Sequence, residues 1–176
     1  TVSVNSAVAI TGSPAEVTAA LVTAGTLVEL NDAATVTITG NPTITELNNI
    51  AAKTTGVVTA TLAADSLSNL GALTTAGTDQ ITITVNDADA AGVTAADLST
   101  LGGKTAGTVT VTNAVAITGD HDQVTAALVT AGSLVEVSDA TVTINDADGT
   151  GITATELSAI GAKTTGTVTV SNAVQI

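Results

Sequence analysis

Two short acidic segments contain the residues of this chain best suited to chemistry. One reads Asn86-Asp87-Ala88-Asp89 and its copy reads Asn145-Asp146-Ala147-Asp148. Each is followed by a glycine and then by another acid. A calcium ion takes about 6–8 oxygen ligands, and alternate acidic positions let a chain wrap them around one point. The spacing therefore predicts a calcium site in each segment, with ligands drawn from Asn86, Asp87, Asp89, Asp97, Asn145, Asp146, Asp148 and Glu156.

The second segment departs from the EF-hand loop in two places. With Asp146 in the first position, Gly151 falls at the sixth, where that loop has its glycine. Thr150 then takes a ligand position, and Glu156 comes one residue early. The alternative interpretation is that these acids lie at helix N-termini, where the helix dipole favours negative charge. The sequence leaves both interpretations open.

The remaining chemistry-bearing residues favour structural roles. His121 is the only histidine and stands between Asp120 and Asp122. Because the chain has no G-x-S-x-G motif for it to serve, we predict an exposed loop histidine. The three cations occupy one position in three copies of an [IL]-[AG]-[AG]-K-T-[TA]-G motif, which predicts that they lie near helix C-termini and offset the dipole. They are Lys53, Lys104 and Lys163.

Composition excludes several functional classes. The 176 residues include no Phe, Trp, Tyr, Cys or Met, and 16 acids against three basic residues give a net charge of −13. Nucleic-acid binding requires Lys and Arg to neutralise phosphates, so we expect no nucleic-acid partner. No apolar run approaches the roughly 18 residues of a membrane span, so we expect no membrane insertion. Phosphate-loop, dinucleotide and H-E-x-x-H motifs are missing, and we predict that the protein is not an enzyme and needs no cofactor beyond calcium.

Internal repeats organise the sequence. Residues 1–25 and 108–132 are identical at 18 of 25 positions, and residues 86–115 match 145–174. Residues 45–56 are a third copy of the helical part of the second match. A recurring x-Gly pair closes each unit, and we predict seven coils of one continuous segment spanning 1–176. Their bounds are 1–25, 26–56, 57–77, 78–107, 108–132, 133–166 and the partial 167–176.

Each repeat combines strand and helix signals. Alternating Thr with Val or Ile, as in TVTI and ITITV, predicts a half-buried strand, and several units add a second short strand such as AVAIT. A helix follows, with Ser13-Pro14 and Thr153 with Glu156 as N-terminal capping signals. The closing glycines, for example Gly56 and Gly107, are predicted to cap the helix C-termini in the left-handed conformation.

The predicted fold is a repeat solenoid of β/α coils, with stacked short parallel strands and one short helix per coil. A single unit cannot bury its apolar face alone, whereas stacked units can. The alternative is a tandem of small antiparallel β-sandwich domains, which the recurrence of a helix in every unit disfavours.

Motifs such as TVTVTNAVAITG, VTAALVTAG and TAADLSTLGGKTAG resemble the repeats of giant Thr-, Val- and Ala-rich cell-surface proteins of bacteria, especially cyanobacteria. The resemblance covers essentially the whole chain and implies an extracellular or cell-surface structural module, such as a stalk, fibre, adhesin or coat. Its expected partners are neighbouring repeats or further copies of itself, with calcium as a stiffening ion.

A Thr-x-Thr strand face suggests a different function, an ice-binding or ligand-binding solenoid. Alternate Thr side chains would form ranks on one face of the sheet. We expect Glu29 and Glu136 to interrupt these ranks.

Overall fold

The computed structural model describes residues 2–23, 28–30, 33–130, 132 and 135–176. The predicted closing pair Ala24–Gly25 and the first residue of the pair Ala131–Gly132 lie outside these residues. The chain order of the described elements is β1 (Val2–Val4), β2 (Ala9–Gly12), α1 (Pro14–Leu21), β3 (Val28–Leu30), β4 (Thr35–Ile38), α2 (Ile44–Ala51), β5 (Val58–Thr61), α3 (Leu67–Leu70), β6 (Gln80–Val85), β7 (Gly92–Thr94), α4 (Ala95–Gly102), β8 (Val109–Val111), β9 (Ala116–Gly119), α5 (His121–Leu128), β10 (Val135–Val137), β11 (Thr141–Ile144), α6 (Ala154–Gly161) and β12 (Val168–Val170).

The fold is mixed α/β, with parallel strand pairs and short helices. It divides into two compact units, one formed by Thr1–Ala63, Ala72–Ile83 and Lys104–Gly107 and the other by Ala64–Gly71, Thr84–Gly103 and Thr108–Ile176. The pairing is not that of an antiparallel sandwich. Within the part of the chain that the structure describes, no helix is long and apolar enough to span a membrane.

In the first unit, β2, β4, β5 and the start of β6 pair in that order, all parallel, and β1 pairs with β3. The Thr-Val alternation correctly predicted half-buried strands here. Val36 and Val58 point into the core and are fully buried, whereas the next residue on each strand, Thr37 or Thr59, is exposed. Helices α1 and α2 pack against each other, and α2 contributes the fully buried Leu47 and Ile50.

In the second unit, β7, β9, β11 and β12 pair in that order, and β8 pairs with β10, again all parallel. Helix α5 packs between α4 and α6. The core is aliphatic throughout, with Leu98, Ile117 and Ile144 fully buried. The repeated sequences therefore give repeated strand–helix pairs in each unit.

Helix starts follow the sequence signals, but helix ends do not. Ser13 and Thr153 form the predicted capping boxes with Glu16 and Glu156. The prediction that the closing glycines cap the helices in the left-handed conformation is wrong. The described C-cap residues, such as Ala52 and Ala162, are right-handed, and among the described glycines a positive φ occurs at Gly40 and Gly149 instead.

Candidate functional site: aspartate loops and turns that join repeats

In the first acidic loop, both aspartates accept hydrogen bonds from the backbone of other repeats. Asp87 Oδ2 lies 2.7 Å from the Leu67 amide nitrogen, and Asp89 Oδ1 lies 3.1 Å from that of Ala114. The Asn113 side-chain amide donates to the Asp87 carbonyl at 2.7 Å. The loop is thereby tied to segments about 20 residues before it and 25 after it.

The second loop makes the same three contacts through its equivalent residues. Asp146 Oδ2 accepts from the His121 amide at 2.9 Å, and Asp148 Oδ1 accepts from the Ala173 amide at 3.2 Å. The Asn172 side-chain amide donates to the Asp146 carbonyl at 2.6 Å. The same three contacts in two places identify the loops as a connection between repeats.

The first aspartate of each loop caps a helix of another repeat. Leu67 and His121 are the first residues of α3 and α5, and their amides have no intrahelical acceptor. A carboxylate at this position also interacts favourably with the helix dipole. The interpretation that these acids lie at helix N-termini therefore describes Asp87 and Asp146. The helix that each one caps, however, comes before it in the sequence.

The downstream acids cap their own helices. Asp97 accepts from the Thr94 hydroxyl at 2.7 Å, and Glu156 accepts from both the amide and the hydroxyl of Thr153. These bonds, the backbone one first, lower the pKa of Glu156. Asn86 and Asn145 are held through their main chains, whose amides donate to the carbonyls of Asp65 and Gly119.

The predicted calcium ligands do not form a cluster of acids. Among the described residues, no group of three or more His, Cys, Asp or Glu side chains could hold a metal ion. Calcium binding by these loops accordingly stays a prediction.

His121 is not the exposed loop residue that the sequence suggested. It is the first residue of α5, its side chain is only 14% exposed, and its Nδ1 lies 2.7 Å from Asp146 Oδ1. Asp122 Oδ1 lies 3.4 Å from Nε2. The hydrogen bond to Asp146 raises the pKa of His121 above its ordinary 6.5, against a smaller opposing effect of burial.

Asp146 is the buried partner of this pair. Burial alone would raise its pKa, but the hydrogen bonds from the His121 ring and amide outweigh that effect, so the pKa is lowered. Asp146 is 6% exposed. The sequence could not reveal this pair, because the two residues are 25 positions apart. The other loop gives no hint of it either, since Asp87 caps a helix that begins with Leu67 and not with a histidine.

The Thr-x-Gly turns are a second connection between repeats, at positions where the sequence predicted helix caps. The hydroxyls of Thr54, Thr105 and Thr164 each accept from the glycine amide two residues later, at 2.8–3.0 Å. Each hydroxyl also donates to a carbonyl of an earlier strand region, Ala34, Ile81 and Ala140 respectively. The turn thus joins two stretches of chain some 20–24 residues apart.

The glycine of each turn is required by close approach rather than by a helix cap. A Cβ on Gly56, Gly107 or Gly166 would collide with the backbone carbonyl that accepts from the turn threonine. Because no side chain fits there, the turn can press directly on the neighbouring strand. The recurring glycine therefore reports a contact between repeats.

The lysines stand where the motif predicted. Lys53 and Lys163 directly follow the C-cap residues of α2 and α6, and their amides donate to the last turn of each helix. Lys104 follows the C-cap of α4 in the same way. Each lysine directly precedes the threonine of a Thr-x-Gly turn. The lysine beside the helix C-terminus is therefore part of the same repeated turn.

Threonine ranks run across both sheets. In the first unit, Thr11, Thr37 and Thr59 are neighbours on adjacent strands and all are exposed. In the second unit, a separate rank runs over four strands through Thr94, Thr118, Thr143 and Thr169. As expected, Glu136 interrupts a row of threonines, because it stands beside Thr110 on the neighbouring strand. Glu29 stands beside Ser3 in the two-stranded pair β1–β3 and lies in neither of the ranks above.

Comparisons with protein-family models, with curated proteins and with solved structures found no match for this chain.

Proposed function

We propose that this chain is a structural repeat module of a bacterial extracellular or cell-surface protein. In this proposal, residues 1–176 form one continuous solenoid of β/α coils, and the module acts as a stalk, fibre, adhesin or coat segment. The parallel strand pairs and the short helix after them are compatible with stacked coils. The neighbouring repeats are its partners, and it catalyses no reaction.

One observation carries this proposal. The polar residues that could do chemistry are used to hold one repeat against another. Asp87 and Asp146 bind backbone amides from other repeats, and the turn threonines bind backbone carbonyls. Buried polar groups stabilise a fold only when they are paired, and here the same pairing recurs in two loops and three turns. This use of polar residues supports a structural role in which one repeat is held against another.

Surface labelling tests the proposal. Antibodies raised against this chain should label intact cells of the source organism, and protease added outside the cells should remove the signal. A cytoplasmic protein in the same cells is the matched control and should be neither labelled nor degraded. Labelling that appears only after lysis would overturn the surface location.

Calcium stiffening is part of the proposal and has its own test. Far-UV circular dichroism should show a higher melting temperature in excess calcium than in EDTA. A site at 100 times its dissociation constant adds about 2.7 kcal/mol, which is a shift of several degrees. Asp89→Asn with Asp148→Asn should abolish the shift, since these exposed carboxylates each have one backbone partner. Equal melting temperatures in calcium and EDTA would restrict the loops to capping.

A second candidate function is binding of ice or another ordered surface by the threonine ranks. The observation that favours it is the uninterrupted rank Thr94, Thr118, Thr143 and Thr169. Adjacent strands lie about 4.7–4.9 Å apart, so these threonines are regularly spaced. The Thr94 hydroxyl caps α4, so Thr118, Thr143 and Thr169 carry the row. In an ice-recrystallisation assay, Thr118→Lys should abolish inhibition, whereas Thr155→Lys on the exposed surface of α6 should not. No inhibition by the unsubstituted chain would exclude ice binding.

A further inference from the structure

The turn in each acidic loop places an aspartate directly before a residue in the left-handed backbone conformation. In the second loop, the Thr150 amide donates to the Ala147 carbonyl at 3.1 Å, and Gly149 within the turn has a φ of +81°. A turn with a positive φ at its third residue normally has glycine there, because a side chain would be strained. The first loop has Ala90 at the same place, with a φ of +59°. The residue after the aspartate is therefore glycine in one loop and alanine in the other.

Asp148-Gly149 is the only Asp-Gly pair in the sequence. In such a pair, the glycine amide nitrogen can attack the carboxyl carbon of the aspartate side chain and close a five-membered succinimide ring. Glycine permits this attack best, because it has no side chain to crowd the nitrogen and its backbone is the most flexible. Both residues are exposed, so water has access to the ring. The groups that a spontaneous modification requires are therefore present at this turn.

Two hydrogen bonds to Ala173 hold these reactive groups in the folded chain. The Gly149 amide donates to the Ala173 carbonyl at 2.7 Å, and Asp148 Oδ1 accepts from the Ala173 amide at 3.2 Å. We call these two bonds the Ala173 clasp. The Gly149 amide has to leave its acceptor before it attacks, so the ring closes only during local opening of the clasp. The rate of ring closure then follows the fraction of molecules in which the clasp is open.

We propose that Asp148 isomerises spontaneously to isoaspartate and that this change opens the Ala173 clasp permanently. The Gly149 nitrogen bonds to the carboxyl carbon of the Asp148 side chain, and one carboxyl oxygen leaves as water with the amide hydrogen and a proton from solution. Water then adds to the main-chain carbonyl carbon of Asp148, and the bond between that carbon and the Gly149 nitrogen breaks. The chain now runs through the former side chain. One water is released and one is taken up, so the reaction needs no oxidant and no cofactor.

The product cannot restore the clasp. Its main chain is longer by one CH2 group, and its free carboxylate is attached directly to Cα. The carboxylate and the Gly149 amide therefore no longer match the amide and the carbonyl of Ala173. The loop keeps the bonds of Asp146 to the start of α5, which involve an unmodified residue. Isomerisation thus leaves the contact with the earlier repeat in place and weakens the contact with the later one.

The first loop supplies the internal comparison. The Ala114 amide donates to Asp89 Oδ1 at 3.1 Å, and the Ala90 amide donates to the Ala114 carbonyl at 2.8 Å. These are the equivalents of the two bonds in the Ala173 clasp. The methyl group of Ala90 crowds the attacking nitrogen and restricts the backbone, so Asp89 should resist ring closure. Two loops with the same hydrogen bonds therefore differ in their chemical stability.

Incubation of the folded chain in water enriched in the heavy oxygen isotope tests the proposal. Each ring that hydrolyses takes up one oxygen from water, and cleavage after lysine isolates Asp148 in the peptide 105–163. Fragmentation in the mass spectrometer then locates the label and distinguishes isoaspartate from aspartate. We expect label and isoaspartate to accumulate together at position 148, and faster in urea, where the clasp is open. Label at position 148 in urea alone, or under neither condition, would overturn the proposal. None of these readouts depends on where the protein is located.

Two pairs of variants separate the attacking group from the clasp. Gly149→Ala should abolish the label at position 148, and Ala90→Gly should introduce label at Asp89. Ala173→Pro removes the amide that binds Asp148 and should raise the rate of labelling there several-fold, whereas Ala114→Pro makes the same change in the first loop and should not. Far-UV circular dichroism verifies that each variant keeps the fold. Equal labelling of Gly149→Ala and the unsubstituted chain would refute the attack by Gly149, and equal rates in Ala173→Pro and Ala114→Pro would refute control by the clasp.

Discussion

At the residue scale, aspartate serves this protein as an acceptor for backbone amides of other repeats. Asp87 and Asp146 do so at helix starts, and Asp79, which the sequence did not single out, does so beside a strand. Asp79 is 4% exposed and accepts from the amides of Val58 and Ala76 at 2.8 and 3.0 Å. A single short carboxylate can therefore satisfy two backbone donors at once.

The pair of His121 and Asp146 should make the free energy of unfolding depend on pH in two directions. The raised pKa of His121 means that its stabilisation is complete below 6.5 and is lost as the pH rises through the folded-state value. The lowered pKa of Asp146 means that its stabilisation is present above 3.8 and is lost as the pH falls through the folded-state value. The pair therefore contributes most between these two pH values.

Urea unfolding followed by far-UV circular dichroism at several pH values measures this dependence. Asp146→Asn should lower the free energy of unfolding by about 1–3 kcal/mol near pH 5 and flatten the change between pH 5 and 9. The control is Asp87→Asn, which removes the equivalent cap but faces Leu67 instead of a histidine. If both variants kept the same alkaline change as the unsubstituted chain, the histidine pair would not be its origin.

At the element scale, the sequence predicted strands and helix starts because these depend on nearby residues. The Thr-Val alternation places β4, β6 and β11 correctly, since inward and outward residues alternate along any strand. The capping boxes at Ser13 and Thr153 join residues that are only three positions apart. Local patterns of this kind are visible without knowledge of the fold.

The ends of the helices and the roles of the loops could not be predicted, because both depend on residues far away in sequence. From the sequence, Gly107 is predicted to cap a helix, but in the structure its Cα lies so close to the Ile81 carbonyl that no side chain fits. Asp87 stands just before β7 and α4, yet it caps α3, 20 residues earlier. A pattern of residue types records that such a position is special, and only the register of neighbouring repeats shows why.

The turn threonine should contribute strongly to stability through its hydrogen bonds. Thr105 is 2% exposed, and its hydroxyl accepts from the amides of Ile81 and Gly107 and donates to the carbonyls of Asp79 and Ile81. Leaving a buried amide without a partner costs about 1–3 kcal/mol, so Thr105→Val should lower the free energy of unfolding by about 3 kcal/mol in urea titrations. Thr59→Val, on the exposed side of β5, should change it by less than about 0.5 kcal/mol. Equal effects would contradict this role.

The glycine of the same turn gives a separate prediction. Gly107→Ala places a methyl group against the Ile81 backbone and should cost about 1–3 kcal/mol, as overpacking does. Gly161→Ala meets no atom within 4 Å at the end of α6 and should stabilise the helix by about 0.5–1 kcal/mol. Thermal unfolding of the two variants compares them directly. A neutral Gly107→Ala would show that the turn can move away from the strand.

At the scale of the whole molecule, an aliphatic core and a strongly acidic surface oppose each other. The core uses Val, Ile, Leu and Ala alone, because no aromatic residue is present. The chain has 16 acids, and among those that the structure describes only Asp79 and Asp146 are buried. Like charges repel in the compact state, and three lysines cannot offset them.

Salt should therefore stabilise the protein at neutral pH. The net charge is −13 at pH 7, and raising sodium chloride from about 0.01 M to 0.15 M shortens the screening length from about 30 Å to 8 Å. We expect the melting temperature by circular dichroism to rise by several degrees over this range. The internal control is the same titration near pH 4.1, where the net charge is close to zero and self-repulsion disappears. An equal rise at both pH values would mean that salt acts on the apolar core instead of on the charges, and the acidic surface would then carry no cost for the fold.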